Sequence, residues 1–337
     1  MTMADVAQAA GVTAITVSRY LRQPTKVAAD TAHLIDAALQ STGYLPNKQA
    51  GVLAGGRSRM VAALIPSIAN SIFSETVQGL ADTLQGSGHE LMLAVTGYST
   101  LREEQQLRAL LGWSPAALVV TGRRHTAGTL ALLRRARDGG TPVVEIWDHH
   151  RSTGAGGGFA QIGFDHARVG RAMAEHLLAR GHRTLAYVDS GVVEDFRAHE
   201  RGAGFAAAAQ AVGVDAEVLI APPIEAFDAG RQALALLLDA KRGRPRVRAA
   251  AFANDHLACG ALLEAQARSV RVPQDLALLG FGDFALARQF APGLSSVRPP
   301  RLEIGRAAGE SLLRALREGT PAASLALGWE LIERSSS

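Results

Sequence analysis

From Met60 onward the chain repeats one pattern, a short apolar run followed by a stretch with helical spacing. Apolar runs at 61–65, 90–95, 117–121 and 143–146 alternate with helical stretches at 72–85, 101–111 and 126–137. Strands that take turns with helices in this way predict a mostly parallel sheet covered by helices. The alternation pauses at 151–160 (RSTGAGGGFA) and then restarts. New strands are expected at 160–164, 185–188, 217–220, 249–252 and 276–280, with helices between them at 167–178, 200–211, 227–238 and 255–267, and a final edge strand at 329–332. The expectation is two similar α/β lobes divided near residues 150–160, with the helix at 304–316 returning towards the first lobe. Two such lobes leave a cleft at the C-terminal ends of their strands, where a small ligand can sit.

The first 59 residues follow a different rule. Met3 to Leu21 reads MADVAQAAGVTAITVSRYL, with Ala7, Gly11 and Val17 four and then six residues apart. Small Ala7 lets a second helix approach the first, and Gly11 can take the positive φ of a tight turn. Thr13 is placed to cap the second helix. Val17 is expected to pack back on Val6. This predicts a helix-turn-helix whose second helix, about 14–20, exposes Ala14, Ile15, Ser18 and Arg19. The same spacing also fits an ordinary helical hairpin. Asp30 or Thr31 can cap a third helix that ends at Gly43. The next stretch, NKQAGVLAGG at 47–56, holds three glycines and is marginal as a helix by itself. Two readings fit it: a plain linker, or a segment that orders on binding and inserts Leu53 as an apolar wedge.

Charge distribution supports the first reading of this module. The whole chain of 337 residues carries a net charge of only +4. Residues 1–60 hold six basic groups (Arg19, Arg22, Lys26, Lys48, Arg57, Arg59) against three acidic ones (Asp5, Asp30, Asp36). A local excess of three positive charges suits contact with phosphates, although a solvated charged face gives the same count. The single cysteine, Cys259, permits no internal disulfide and fits a reducing compartment. The chain starts with no basic-then-apolar signal and contains no run of eighteen apolar residues, so a cytoplasmic protein without membrane contact is expected. No HExxH, GxSxG or metal-spaced Cys/His set is present, and the Gly-rich 151–160 lacks the Lys-Ser/Thr of a phosphate loop. No enzyme activity, cofactor or metal is therefore expected.

The order of modules resembles the LacI/GalR family of bacterial transcription repressors, over essentially the whole chain. The motifs that carry the resemblance are DVAQAAGV–TVSRYL, GYLPN at 43–47, AGVLAGGRS in the hinge and IPSIANSIF at 65–73. Further on they are HLLARGHRTLAYV at 176–188, ERGAGF at 200–205, FANDHLACGAL at 252–262 and VPQDLALLGFGD at 272–283. AITVSRYLRQP, the ANSIF loop, VVEIWD at 143–148, GFGDF and VRPPR make it most similar to the gluconate-utilisation repressors within that family. The resemblance implies an N-terminal all-α helix-turn-helix domain at 1–46, a hinge at 47–59, and a two-lobed α/β core with parallel sheets, like that of periplasmic binding proteins, at 60–337. It implies a homodimer on a near-palindromic operator, released by a small sugar-acid effector, gluconate or a relative. A regulator of a neutral sugar, a corepressor-dependent regulator or a plain solute-binding protein are the rival readings.

Site residues follow from the same resemblance. Thr13, Thr16 and Ser18 are implied to touch phosphates, and Ala14, Ile15 and Arg19 to face bases. Asn47 would start the hinge helix, Ala50 would lie within it, and Leu53 would enter the minor groove. Ser67, Asn70 and Phe73 are implied to line the cleft from the first lobe, joined by Asp148, Arg201, Asn254 and Phe281. Arg201 could hold a ligand carboxylate or pair with Glu200 or Asp195. Asp148 could meet ligand or cap the lobe junction. His125 could reach the cleft or sit at its rim. Two positions depart from the neutral-sugar pattern, Gly282 and Pro299, each standing where a polar or acidic side chain is common. Losing a carboxylate there removes repulsion against an anionic ligand, which favours a sugar acid held by Arg201.

Overall fold

The structure is a computed structural model and describes residues 1–45, 58–69, 72–150, 158–239 and 246–337. Contacts divide the chain into two units, Met1–Ser58 and Arg59–Ser337.

In the first unit, α1 (Met3–Ala9) starts with a capping box between Thr2 and Asp5. Gly11 takes φ +66° in the turn that follows. Helix α2 (Ala14–Arg22) is capped by Thr13, whose Oγ1 accepts from the Thr16 amide at 3.3 Å. Helix α3 (Ala29–Thr42) ends at Gly43, φ +62°. It begins earlier than Asp30 or Thr31 would allow as caps. Its N-cap is Ala28, with no side-chain bond, and Asp30 lies in the first turn. There its charge stabilises the positive end of the helix instead of capping it. Val6, Ala7, Ala10, Val17, Ile35 and Ala38 form one buried cluster, with Val6 and Val17 fully enclosed. Tyr20 Oη donates to Asp36 Oδ1 at 2.6 Å and ties α2 to α3.

The second unit contains two six-stranded sheets. The first is built from β1 (Met60–Ile65), β2 (Glu90–Val95), β3 (Ala117–Thr121), β4 (Val143–Asp148), β5 (Ala160–Phe164) and β11 (Leu325–Ala326). Their order is β2-β1-β3-β4-β5-β11, all parallel. The second contains β6 (Leu185–Asp189), β7 (Ala216–Ile220), β8 (Ala249–Phe252), β9 (Ala277–Phe281), β10 (Ser295–Arg298) and β12 (Glu330–Ile332). Its order is β7-β6-β8-β9-β10-β12, and only the β10–β12 pair is antiparallel. Helices α4 (Ser74–Leu84), α5 (Thr100–Leu111), α6 (Ala127–Asp138) and α11 (Arg301–Glu318) serve the first lobe. Helices α7 (His166–Ala179), α8 (Phe196–Gln210), α9 (Ala226–Leu238) and α10 (Asp255–Ala267) serve the second.

One boundary differs from the sequence reading. Strand 160–164 was expected to open the second lobe, but β5 lies beside β4, from Val144 opposite Ala160 to Asp148 opposite Phe164. The chain crosses between lobes after Phe164, at the cap of α7. A run of five residues, AQIGF, does not encode its neighbour, so only the pairing reveals which sheet takes it. Helix α11 leaves the second sheet after β10 and packs on α4 of the first lobe, where Thr76 Oγ1 donates to the Arg301 carbonyl at 2.8 Å. Cys259 is free and buried. Among the described residues no helix is long and apolar enough to cross a membrane.

Candidate functional site

The exposed start of α2 is the candidate nucleic-acid surface of the first unit. Ala14, Ile15 and Arg19 are exposed, Ile15 at 71%, while Val17 on the opposite face is buried. A large aliphatic side chain left in water is informative only with its surroundings. Here it stands beside a helix N-terminus and a free-standing arginine one turn on, a face that fits a DNA groove. Thr16 and Ser18 are half-buried at the edges of that face. The Thr13 hydroxyl caps the helix and meets Thr16 Oγ1 at 2.9 Å. Asn47, Ala50 and Leu53 lie outside the described residues.

In the second unit, strand ends from both sheets converge on a cleft with two adjoining cavities, open to solvent, which share Tyr98 and Arg197. One is lined by Phe73, Trp147, Arg201, Asn254 and Phe281, together with His166, Asp195, His256 and Phe284. The other is lined by Glu103, Arg123, Arg124, Asp148, Glu194 and Glu200, with the hydroxyl residues Thr96, Ser99, Thr100 and Thr121 around them. Four of the sequence-derived cleft residues, Phe73, Arg201, Asn254 and Phe281, thus share a cavity, and Asp148 lies in its neighbour. Ser67 lines neither. Its Oγ accepts from the Ala69 amide at 3.1 Å. Asn70 lies outside the described residues.

Arg201 projects from α8 and is only 4% exposed. Its Nη1 meets His166 Nδ1 at 2.9 Å, and its Nη2 donates to the Ala253 carbonyl at 2.9 Å. The guanidinium lies 3.9 Å from the centre of the Phe281 ring. Among the described residues its Nε has no hydrogen-bond partner. Of the two carboxylates that could have neutralised it, Asp195 caps α8 by accepting from the Ala198 amide, and Glu200 takes Arg123 and Arg124 at 2.7 and 3.0 Å. A buried cation without a carboxylate of its own is costly, so an anion arriving beside it is favoured.

Arg197 stands one turn before Arg201 on the same helix and reaches towards Phe73, 5.9 Å from its ring centre. The sequence reading began this helix near residue 200 and so left Arg197 in a loop. Asp195 caps the helix earlier, and the i, i+4 spacing then puts both arginines on the cleft face.

Burial raises the Asp148 carboxyl to about 6, with Arg197 and Arg123 pulling it back. Burial also holds the His166 imidazole well below its usual range, reinforced by the charges of Arg201 and Arg197.

His125, which the sequence left between the cleft and its rim, lines neither cavity. Its ring is enclosed behind Glu103, with Nδ1 2.6 Å from Glu103 Oε1 and Nε2 3.5 Å from Glu145 Oε1. Burial lowers its pKa, but the two carboxylates outweigh that and lift it to about 9. It is a charged strut inside the first lobe. Asp283, the acid one step past Gly282, is likewise occupied, accepting from Arg298 and Arg334. Tyr98, Trp147, His166, Arg197, His256 and Phe284 were not singled out from sequence, because they come to the cleft from separate elements: Trp147 from β4, His166, Arg197 and His256 from the starts of α7, α8 and α10, and Tyr98 and Phe284 from loops.

Acidic groups of the second lobe also reach across to the first. Besides the Glu200 bridges, Glu194 Oε2 accepts from the Thr100 amide at 2.5 Å, at the start of α5. The Arg124 guanidinium lies 5.1 Å from the Phe196 ring centre. These bridges and the Arg124–Phe196 contact join the two lobes across the cleft.

Comparison with known proteins places this arrangement. A family profile described as bacterial regulatory proteins, lacI family, matches residues 2–47, and one described as periplasmic binding protein-like domain matches residues 174–337. The chain is 38% identical over 340 residues to the HTH-type transcriptional regulator GntR of Pseudomonas aeruginosa, covering 99% of this chain and 95% of that protein. It is 34% identical over 328 residues to the HTH-type transcriptional regulator GntR of Escherichia coli K12, covering 97% and 96%. The crystal structure of a LacI-family transcriptional regulator from Silicibacter pomeroyi superposes with a TM-score of 0.90 at 32% identity, over 100% of this chain and 99% of that one. Regulators of this kind bind operator DNA and small-molecule effectors and act as dimers. The chain belongs to the lacI family of bacterial regulatory proteins and is a DNA-binding transcriptional regulator.

Proposed function

We propose that this regulator represses its target genes as a homodimer on a near-palindromic operator and leaves it when a sugar acid, gluconate or a close relative, enters the cleft. The observation that carries the sugar-acid reading is Arg201. It is a nearly buried guanidinium, laid on Phe281, lacking a carboxylate partner and keeping an unpartnered Nε. A ligand carboxylate can take the charge-assisted bonds it offers, with Arg197 alongside. Sugar hydroxyls then have Asn254 and the Asp195 carboxylate within the same cavity. Similarity to regulators named GntR supports the same class.

On the DNA side, Ala14, Ile15 and Arg19 read base edges, while Thr13, Thr16 and Ser18 position the helix on phosphates. Asn47, Ala50 and Leu53 form the hinge that joins residues 1–46 to the core at 60–337. The effector acts only if it binds one lobe arrangement better than the other.

Titration calorimetry with gluconate, related sugar acids and neutral sugars tests the reading. Gluconate is expected to bind, and Arg201→Ala to weaken it roughly 10- to 100-fold, the range for a lost hydrogen bond to a charged group. Binding of neutral sugars alone would discard the sugar-acid reading and leave the DNA-binding regulator standing.

A further inference from the structure

A continuous line of hydrogen bonds leads from Arg201 out of the cleft and into the first lobe. Arg201 Nη1 and His166 Nδ1 are 2.9 Å apart, and His166 Nε2 is 2.9 Å from the Trp147 carbonyl oxygen. Trp147 Nε1 donates to Thr76 Oγ1 at 3.2 Å, and that hydroxyl donates to the Arg301 carbonyl at 2.8 Å. The line runs from α8 of the second lobe through the first turn of α7 to the end of β4 and the contact between α4 and α11.

Donor and acceptor chemistry sets the state of the imidazole. A guanidinium only donates, so Nδ1 must accept and Nε2 must carry the ring proton. That proton points at the Trp147 carbonyl, with Asp148 Oδ1 3.5 Å from Nε2. A proton on Nδ1 as well would set donor against donor and cation against cation. His166 is 2% exposed, and its ring lies tilted 4.6 Å from the Phe164 ring centre and 6.4 Å from that of Phe281, so it has little room to turn. Trp147 itself is buried with φ +73°, a conformation that a bulky residue keeps only when its surroundings over-determine it.

We infer that His166 is a positioning residue for the anionic ligand: by accepting from Arg201 and donating to the Trp147 carbonyl, it aims the guanidinium and tethers the ligand-binding helix of one lobe to the crossover of the other. The ligand half of this inference rests on the sugar-acid reading above; the tether does not.

Two variants of the full chain separate positioning from packing. In H166N the amide oxygen falls near the former Nδ1 and can accept from Arg201. In H166Q the amide reaches the former Nε2 and the acceptor facing Arg201 is lost. Gluconate affinity is expected to fall roughly 10- to 100-fold in H166Q and distinctly less in H166N. Packing alone predicts the reverse order, because glutamine fills more of the vacated ring volume, and that order would overturn the inference. Histidine-selective ¹⁵N NMR of the ligand-free protein, assigned by comparison with H166N, gives a second reading. A bare Nδ1 with a protonated Nε2, unchanged from pH 8 to pH 6, is expected. A protonated Nδ1 would overturn the inference. If the wild-type chain bound no sugar acid while the ring showed the expected tautomer, the tether would stand and the sugar-acid reading alone would fall.

Discussion

Replacing Gly170 with alanine drives a methyl group into the main chain of the helix that carries both cleft arginines. A Cβ at Gly170 in α7 would lie 1.8 Å from the Arg201 carbonyl oxygen in α8. The approach is reciprocal, since a Cβ at Gly204 in α8 would lie 2.1 Å from the Ala167 carbonyl oxygen in α7. To restore even 3.0 Å, α7 and α8 must part by about 1.2 Å at this point, and no flexible side chain can absorb the shift. Overpacking of this kind costs about 3 kcal/mol, offset by about 1 kcal/mol for the better helix propensity of alanine. The net loss is about 2 kcal/mol. The residue struck is Arg201 itself, so its 2.9 Å bonds to His166 and Ala253 stretch beyond hydrogen-bond range. Urea denaturation followed by circular dichroism, with gluconate calorimetry on the same variant, reads both effects. Gly328→Ala is the control: a Cβ there meets nothing within 4 Å, and a change within about 0.5 kcal/mol is expected. If Gly170→Ala matched that control in stability and in affinity, the close crossing of α7 and α8 would not be what holds Arg201 in place.

Three further outcomes are expected. Asp148 has a folded pKa of about 6, above its ordinary 3.8, so it binds more protons folded than unfolded between these values. Its burial costs nothing below about pH 4 and its full penalty above about pH 6. Asp148→Asn should therefore stabilise the protein at pH 7 by up to about 3 kcal/mol and leave it unchanged at pH 4, as denaturation at the two pH values would show. Glu200→Ala removes both bridges to Arg123 and Arg124. The bridged arrangement of the lobes should lose up to about 1 kcal/mol, read as a change of up to roughly fivefold in ligand affinity at low salt that shrinks as salt is added. Arg19→Ala removes an exposed side chain, so the first unit should stay folded while operator binding weakens by about 1–3 kcal/mol and tolerates more base changes, measured by fluorescence anisotropy.

What could be read from sequence divides along the range of the interactions involved. The turn at Gly11, the cap at Thr13 and the packing of Val17 near Val6 are local, and the structure contains all three. The strand–helix alternation was legible for the same reason, since each run needs only its own periodicity. Phe73, Arg201, Asn254 and Phe281 were drawn to one cleft by resemblance, and the structure places them around one cavity. Arg197 was missed because a helix boundary moved by four residues, from near 200 to Phe196, and with it the face of the helix. His125 was a candidate for the cleft or its rim because it follows a strand end. Its real neighbours, Glu103 and Glu145, come from α5 and β4, and they draw the ring inwards.

The sequence by itself determined the architecture: a helix-turn-helix ahead of a two-lobed α/β core, and the class of protein that has this order. The architecture follows from spacing, apolar period and turn residues within a few positions of one another, and the class follows from the resemblance of motifs along the whole chain. Only the tertiary structure decided that β5 joins the first sheet, that Asp283 is neutralised by Arg298 and Arg334, and that Arg201 has His166 for a partner in place of a carboxylate. Each of these depends on which distant groups meet in a low-dielectric interior. There an unpaired donor or charge is expensive, and the partner is chosen by the packing of the whole unit, which no local stretch of residues specifies.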